Sequence, residues 1–557
     1  MDDITKIQRY FARKAQAQPT YQFKDLYSLA WKPGFLEMAL MRVLANRGSR
    51  SAGIDGITAS HFDDPDYRID FIHDLSQALK TKNFTPSPGR RTYIPKDNKH
   101  KRPLGILTIK DRVVQMTLKM LLEPVYEADF LNCSYGFRPG RRTMDGIVPI
   151  WRYANSQSKH FWVVEGDIRA CFDQVNHRIL EGLLHQRIAD KNVLKLIHAF
   201  LQAGVMEGHL FRRTEIGTQQ GGILSPLLAN VYLHQFDLWW WNTYGCLTKN
   251  DRRRRRRQGL GHPVLLRYAD DWTLLWNGCK AEAYKLKDEA QTFLEQELKL
   301  ELNQNKTLIT HINDGFTFLG FDIRRYQGRH GKPIVLIKPS QKNITKFKNK
   351  IKTLTRRNTS NDPVWYKIIQ LNQILRGWSA YYQYVNAKTI FNKLDWWVLN
   401  RIFIWARKKH GRPPWRAITA KYKHRDPKGR LNFVYHLEDG SPLWLYRMSD
   451  RPILRYRTDW KRPGYADGLS TTIEDMPTDL IDPISYPAQE TDQVRLIALR
   501  RDNSTCQHCG NTEPDLQVHH LIPKQEGGQD SLDNLVTLCA SCHHQIHKSG
   551  LIETELN

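Results

Sequence analysis

The sequence predicts a multidomain α/β protein, and three observations carry that expectation. The chain has 557 residues of ordinary globular make-up, 40% hydrophobic, 11% aromatic and 25% charged, too long for one core and suited to three or four domains. Two apolar, strand-like runs, Phe161–Ile168 and Val264–Trp276, stand among segments with helical spacing. Near the C-terminus, Cys506 with Cys509 and Cys539 with Cys542 form two Cys-x-x-Cys pairs within 37 residues. Without a secretion signal, such pairs favour a tetrahedral zinc site over disulfides, the metal supplementing a core too small for a module of about 60 residues.

Taken in order, the start MDDITKIQRYF has no apolar run after a basic stretch, and no stretch is apolar enough to span a membrane. A cytosol-like compartment is therefore expected. Asp25–Asn46 repeats Leu and Met at helical intervals, a core-facing stripe. The run Arg252–Arg257 is six adjacent like charges, expected as a solvated loop because they repel and resist burial. From Ser340 to Trp460 there are 26 Lys/Arg against 7 Asp/Glu, with 8 of the 16 Trp, in segments of helical spacing. Gly464–Gln493 holds 7 acids, no Lys or Arg, and Pro477, Pro483 and Pro487, so it reads as a linker. From Leu496 onward the balance is −4, so the excess of +27 stops before the C-terminal module. That excess points to a polyanion: cations neutralise phosphates, and exposed aromatic rings stack on unpaired bases.

The two strand runs carry chemistry as well. The first ends in Asp167, and the second holds Tyr268-Ala269-Asp270-Asp271 at a bend. Burying carboxylates is costly unless a cation compensates them. Acids so placed suggest magnesium, which takes hard oxygen ligands and keeps substrate phosphates in its shell. Two such ions can activate a 3′-hydroxyl and stabilise leaving pyrophosphate.

Eight segments follow one another: SAGIDGIT at Ser51, YIPKDNKHKRPLGI at Tyr93, YGFRPGR at Tyr135, GDIRACFDQVNH at Gly166, GTQQGGILSPLLANVYL at Gly217, YADD at Tyr268, LNQNKTLI at Leu302 and FTFLGF at Phe316. In this order they resemble the reverse transcriptases encoded by group II introns. The resemblance implies right-hand polymerase fingers and palm with an antiparallel sheet over residues 1–339. It implies that Asp167, Asp270 and Asp271 are the catalytic acids and that they bind two magnesium ions together with the carbonyl of Ile168. Phe172 matches the aromatic gate that favours deoxynucleotides, Lys96 and Arg102 the finger residues holding the triphosphate, and Lys306 a lysine near its phosphates. Gln220 and Gly221 match the loop against the nascent pair, although Gln219 stands where the family usually has Pro. The segments RGWSAYYQYV at Arg376 and RIFIWARKKH at Arg401 resemble the family's α-helical thumb and maturase domain, assigned to 340–460, which grips intron RNA.

The C-terminal stretch VHHLIPKQEGGQDSLDNLVTLCASCHHQIH resembles the HNH nuclease motif, a ββα-metal fold, assigned to 496–557. That implies His519, His543 and His547 as ligands of one divalent ion, taken to be magnesium, with His520 as general base and Asn534 orienting it. The motif leaves open a transposition of His519 and His520. Cys506, Cys509, Cys539 and Cys542 would hold structural zinc, and 461–495 would be the acidic linker or a DNA-binding region.

Together these readings describe an intron-encoded protein that binds its intron RNA, assists splicing, nicks target DNA and copies the intron from the exposed 3′-hydroxyl with dNTPs. No membrane partner is expected, and the compartment would be bacterial cytoplasm, beside the nucleoid, or an organelle. Two other classes stay open on sequence: a maturase whose polymerase and nuclease are relics, and a reverse transcriptase of a retron, diversity-generating or CRISPR-linked element.

Overall fold

The computed structural model describes residues 2–95, 101–155, 159–207, 210–212, 217, 221–328, 333–455, 502, 505–507, 509, 516–520, 535–539 and 542–543. It divides into two units, Met1–Pro477 and Thr478–Asn557, each taken by itself here. Lys96, Gln220, Asn534, His547, the side chain of His520 and the linker 461–495 lie outside the described residues.

In the first unit, helices Asp2–Ala17 and Pro33–Leu44 pack on Ile109–Glu127, a helix buried along almost its whole length. Its first turn is capped by the Thr108 hydroxyl, which accepts from the Asp111 amide at 3.0 Å. The stripe at Asp25–Asn46 becomes two helices, Tyr27–Ala30 and Pro33–Leu44, because Pro33 suits only a first helical turn.

Strands β1 (Gly89–Pro95) and β2 (Lys101–Ile106) form a hairpin, and β3 (Trp162–Asp167) ends on its carboxylate. With β4 (Val205–Glu207) and β5 (Leu210–Arg212) the hairpin forms a sheet in the order β2-β1-β4-β5, in which β1 and β4 run parallel. Apart from this short ladder, the strand pairs of the described sheets are antiparallel, as expected. Strands β6 (Pro263–Tyr268), β7 (Asp271–Trp276) and β8 (Ile309–His311) join β3 in the order β6-β7-β3-β8, all antiparallel. Burial is nearly continuous along β6 and β7, as both faces are covered. Gly166 pairs with Trp272, and a methyl on Gly166 would lie 2.0 Å from the indole, so only glycine lets that ring cross β3.

A third sheet, β9 (Phe316–Phe318), β10 (Phe321–Gln327) and β11 (Pro333–Pro339), leads into helices Gln341–Leu354, Val364–Tyr382, Lys388–Lys409 and Trp415–Tyr422. The expected helical region also carries a small antiparallel sheet, β12 (Lys423–Arg425), β13 (Leu431–His436) and β14 (Pro442–Trp444). Buried Phe433 explains it: the ring stacks on Tyr422 at 4.9 Å and meets Phe403 edge-on, giving the strands a helix face to cover. In the second unit β15 (Leu516–His520) pairs antiparallel with β16 (Leu535–Cys539).

The arginine run is a helix, Lys249–Arg257, not a loop. Thr248 and Asp251 form a reciprocal capping box, while Arg252 and Arg255 donate to the carbonyls of Gly245 and Gly261. These contacts offset like-charge repulsion of about 0.2–0.5 kcal/mol per neighbouring pair. The solvated character stands, for no residue of the helix is buried.

Beside it lie two buried imidazoles, His160 bonding through Nε2 to the His262 carbonyl at 3.1 Å. Burial first, then the nearby arginines, lowers both to about 3. The unfolded rings titrate near ~6.5, so the unfolded chain binds more protons below that value. Stability from this pair is complete above pH ~6.5 and is lost as pH falls toward 3. The melting temperature should therefore drop between pH 6.5 and 4, with a shallower slope in His160→Gln; equal slopes would refute the assignment.

Candidate active site and metal centre

Strand register assembles the acids. Asp271 opens β7 opposite Tyr268, which closes β6, and on its other side Asp271 pairs with Asp167 at the end of β3. Asp270 lies in the two-residue turn between β6 and β7, where Ala269 takes φ 58°. The three carboxylates thus share one end of one sheet. Desolvation, then the charges of Asp270 and Asp167, raises the Asp271 carboxyl to about 6 against the pull of Lys306 and Arg102. That crowding suits a divalent cation. Lys306 Nζ lies 2.9 Å from Asp167 Oδ2, and Ile168 bridges Leu302, so the LNQNK segment runs alongside the first acid.

Arg102 stands exposed on β2, opposite Ile94, and its charge reaches Asp271. Gly221, at φ 107°, lies against the Gly105 carbonyl of the same strand. Phe172 follows Ala170, whose left-handed φ of 43° turns the chain into the short helix Cys171–Gln174. Its ring meets Phe137 edge-on at 6.3 Å. Phe137 is half exposed at φ 60°, a strained conformation for a bulky residue. The sequence reading passed over Phe137; its signal was an aromatic residue beside the turn-forming Arg-Pro-Gly.

Beneath the acids lies a group that the motifs did not single out. Arg267 is fully buried and forks onto fully buried Asp237, Nε to Oδ1 at 2.7 Å and Nη2 to Oδ2 at 2.5 Å. Its Nη1 donates to Asn230 Oδ1 at 3.0 Å and to the Ala269 carbonyl at 3.1 Å, inside the acid-bearing turn. Asn230 in turn donates to the Gly136 carbonyl. A methyl on Gly136 would come within 2.3 Å of the Ala269 amide, so the YGFRPGR segment closes directly on the turn. The signal was present: one Arg in the apolar run PVLLRYADD and one Asp in HQFDLWWW. Salt-bridge attraction holds the Asp237 carboxyl low despite burial, which opposes it as the largest effect.

The turn Leu319-Gly320 between β9 and β10 is gripped from the helical region. Tyr381 donates to the Leu319 carbonyl at 3.0 Å, and Tyr382 to that of Gly320 at 3.2 Å.

In the second unit the four sulfurs of Cys506, Cys509, Cys539 and Cys542 lie within 4.8 Å of one another, Cys509 and Cys539 being 3.7 Å apart. Tetrahedral zinc with bonds of about 2.3 Å separates its sulfurs by about 3.8 Å, so the cluster fits that ion. Burial, then the neighbouring thiols, drives the Cys542 thiol up, a penalty that a cation would reverse. His519 and His543 meet ring to ring at 5.0 Å.

Comparison with known proteins agrees with this layout. The family model for reverse transcriptase (RNA-dependent DNA polymerase) matches residues 94–323, that for the group II intron maturase-specific domain 344–423, and that for HNH endonuclease 506–549. Protein YkfC of Escherichia coli (strain K12) is 34% identical over 362 residues, 62% of this chain and 94% of the relative. Group II intron-encoded protein LtrA of Lactococcus lactis subsp. cremoris is 29% identical over 637 residues, 98% of this chain and all of the relative. Nuclear intron maturase 2, mitochondrial, of Arabidopsis thaliana is 26% identical over 273 residues, 38% of this chain and 37% of the relative.

Arg267→Met should lower stability by about 3–5 kcal/mol in denaturant unfolding, since it strands the Asp237 charge. Adding Asp237→Leu should recover part of the loss; a single variant as stable as the parent would contradict the pairing. For the thiolate cluster, metal analysis should find one zinc per chain, and chelation should remove one of two melting transitions, leaving the other. A cysteine-free second transition with the same midpoint would count against the zinc site.

Proposed function

The chain belongs to the group II intron-encoded proteins, which join a reverse transcriptase, a maturase domain and an HNH endonuclease, and from that premise we propose how its residues divide the work. Residues 1–339 are fingers and palm, 340–460 thumb and maturase, 461–495 a linker or DNA-binding region, and 496–557 the nuclease. The observation that carries the polymerase reading is the register bringing Asp167 opposite Asp271 beside the Asp270 turn. Asp167, Asp270, Asp271 and the Ile168 carbonyl would hold magnesium, which when bound neutralises phosphate charge and activates the primer 3′-hydroxyl.

The chain's own side chains supply the rest. Arg102 and Lys96 draw in the triphosphate, with Lys306 beside it; Arg gives forked donors where Lys gives a point charge. Phe172, backed by Phe137, closes the space that a 2′-hydroxyl would need. Gln220 and Gly221 line the nascent pair. In the nuclease, His519, His543 and His547 would hold a divalent ion and Cys506, Cys509, Cys539 and Cys542 structural zinc. His520 takes a proton from water, with Asn534 orienting its ring. The ring contact of His519 with His543 supports this order of the two adjacent histidines.

The basic helical region binds the intron RNA and supports its splicing. The nuclease then nicks target DNA, and the polymerase extends the new 3′-hydroxyl along the RNA. No helix among the described residues is long and apolar enough to cross a membrane. Relatives from a bacterium and from a plant organelle fit either bacterial cytoplasm or an organelle as the site of action.

Asp270→Asn should cut primer extension by at least about a hundredfold while RNA-assisted splicing continues at the parental rate. Equal loss of splicing by a folded variant would overturn the division of labour.

A further inference from the structure

The arginine helix Lys249–Arg257 has no part in the chemistry above, yet its six guanidinium groups are sorted into two sets. Arg252 and Arg255, three residues apart, face the body: they bond to the carbonyls of Gly245 and Gly261, and Arg255 lies 5.6 Å over the Tyr244 ring. Arg253, Arg254, Arg256 and Arg257 are exposed. Among the described residues none of these four pairs with a carboxylate. Spacings of three and four residues set them side by side within a single helical turn, about 6 Å long. The capping box and the two inward arginines therefore hold rigid a charge cluster that would otherwise disperse.

We propose that this outward face is a docking surface for the phosphate backbone of a base-paired stem of the intron RNA. The assignment rests on the reading of the chain as an intron-binding protein. The chemistry is that of phosphate: forked donors, the helix's one carboxylate, Asp251, already accepting from Thr248, and like charges that a polyanion neutralises. Single-strand binders add exposed aromatic platforms, but Tyr244, the ring at this helix, is buried under Arg255. The helix thus reads a backbone and not base edges. RNA is favoured over duplex DNA because the helix belongs to the unit that carries the maturase domain, whereas the nuclease lies in the other.

The test uses the full chain with Arg253, Arg254, Arg256 and Arg257 all changed to Gln, and a second chain with only Arg253→Gln and Arg257→Gln. Binding to a transcript of the encoding intron, and to a DNA duplex of equal length, is measured from 50 to 300 mM salt. For RNA, the slope of log affinity against log salt should shrink by about 2–4 in the first variant and by about half as much in the second. Affinity at about 150 mM salt should fall at least tenfold, with the melting temperature unchanged or raised. An unchanged RNA slope overturns the proposal, as does a slope that shrinks only for DNA. Failure of the parent chain to bind the transcript overturns the intron-binding reading along with it.

Discussion

The buried pair of Arg267 and Asp237 is the interaction on which the acid-bearing end of the first unit's central sheet depends. Two charges removed from water are expensive to bury, and their mutual attraction rarely does more than balance that cost. What the pair supplies is position. One guanidinium reaches Asp237 on the helix Ser225–Trp240, Asn230 on the same helix, and the Ala269 carbonyl in the turn that carries Asp270. A helix, two strands and, through Asn230, the Gly136 loop are thereby fixed to one another. Three acids crowded at a sheet end repel, and desolvation first, then the charges of Asp270 and Asp167, raises the Asp271 carboxyl. A turn free to relax would let them separate, and this anchor keeps them close enough to share a cation.

The same logic, charge held where it would not choose to be, recurs elsewhere in the molecule. Four thiols gather in a small second unit whose described core cluster is Cys506, Cys539 and Cys542 with Val536 and Leu538, Leu516 packing against it. The outward arginines of the run are held in one turn by a cap and by their inward neighbours. Each arrangement is costly alone and would become favourable with a partner of opposite charge, a metal ion for the carboxylates and the thiols and, under the proposal above, phosphate for the arginines.

The helical region adds a link between binding and synthesis. Tyr381 and Tyr382, within the segment that resembles the maturase domain, hold the carbonyls of Leu319 and Gly320 in the FLGF turn. Arg142, just after the YGFRPGR segment, donates from Nη1 to the Tyr384 hydroxyl oxygen at 2.9 Å. The region assigned to RNA is thus hydrogen-bonded to two segments beside the acids, so order in one supports order in the other.

Much of this was legible in the linear chain. Motif order, the YADD acids, the paired Cys-x-x-Cys knuckles and the uneven charge depend on residue type and spacing alone, and those are local properties. The hairpin at Asp270 and the zinc-type cluster followed from them. Less legible were features whose cause lies far away in sequence: the parallel contact of β1 with β4, the sheet laid on Phe403 and Tyr422, and the helix formed by six arginines, where a cap and distant carbonyls outweigh local repulsion. Arg267 shows the division most clearly. Sequence alone determined that a cation interrupts an apolar strand beside two acids; only the tertiary structure decided that its partner is Asp237, 30 residues away, because a buried charge is matched by whichever opposite charge packing brings within reach.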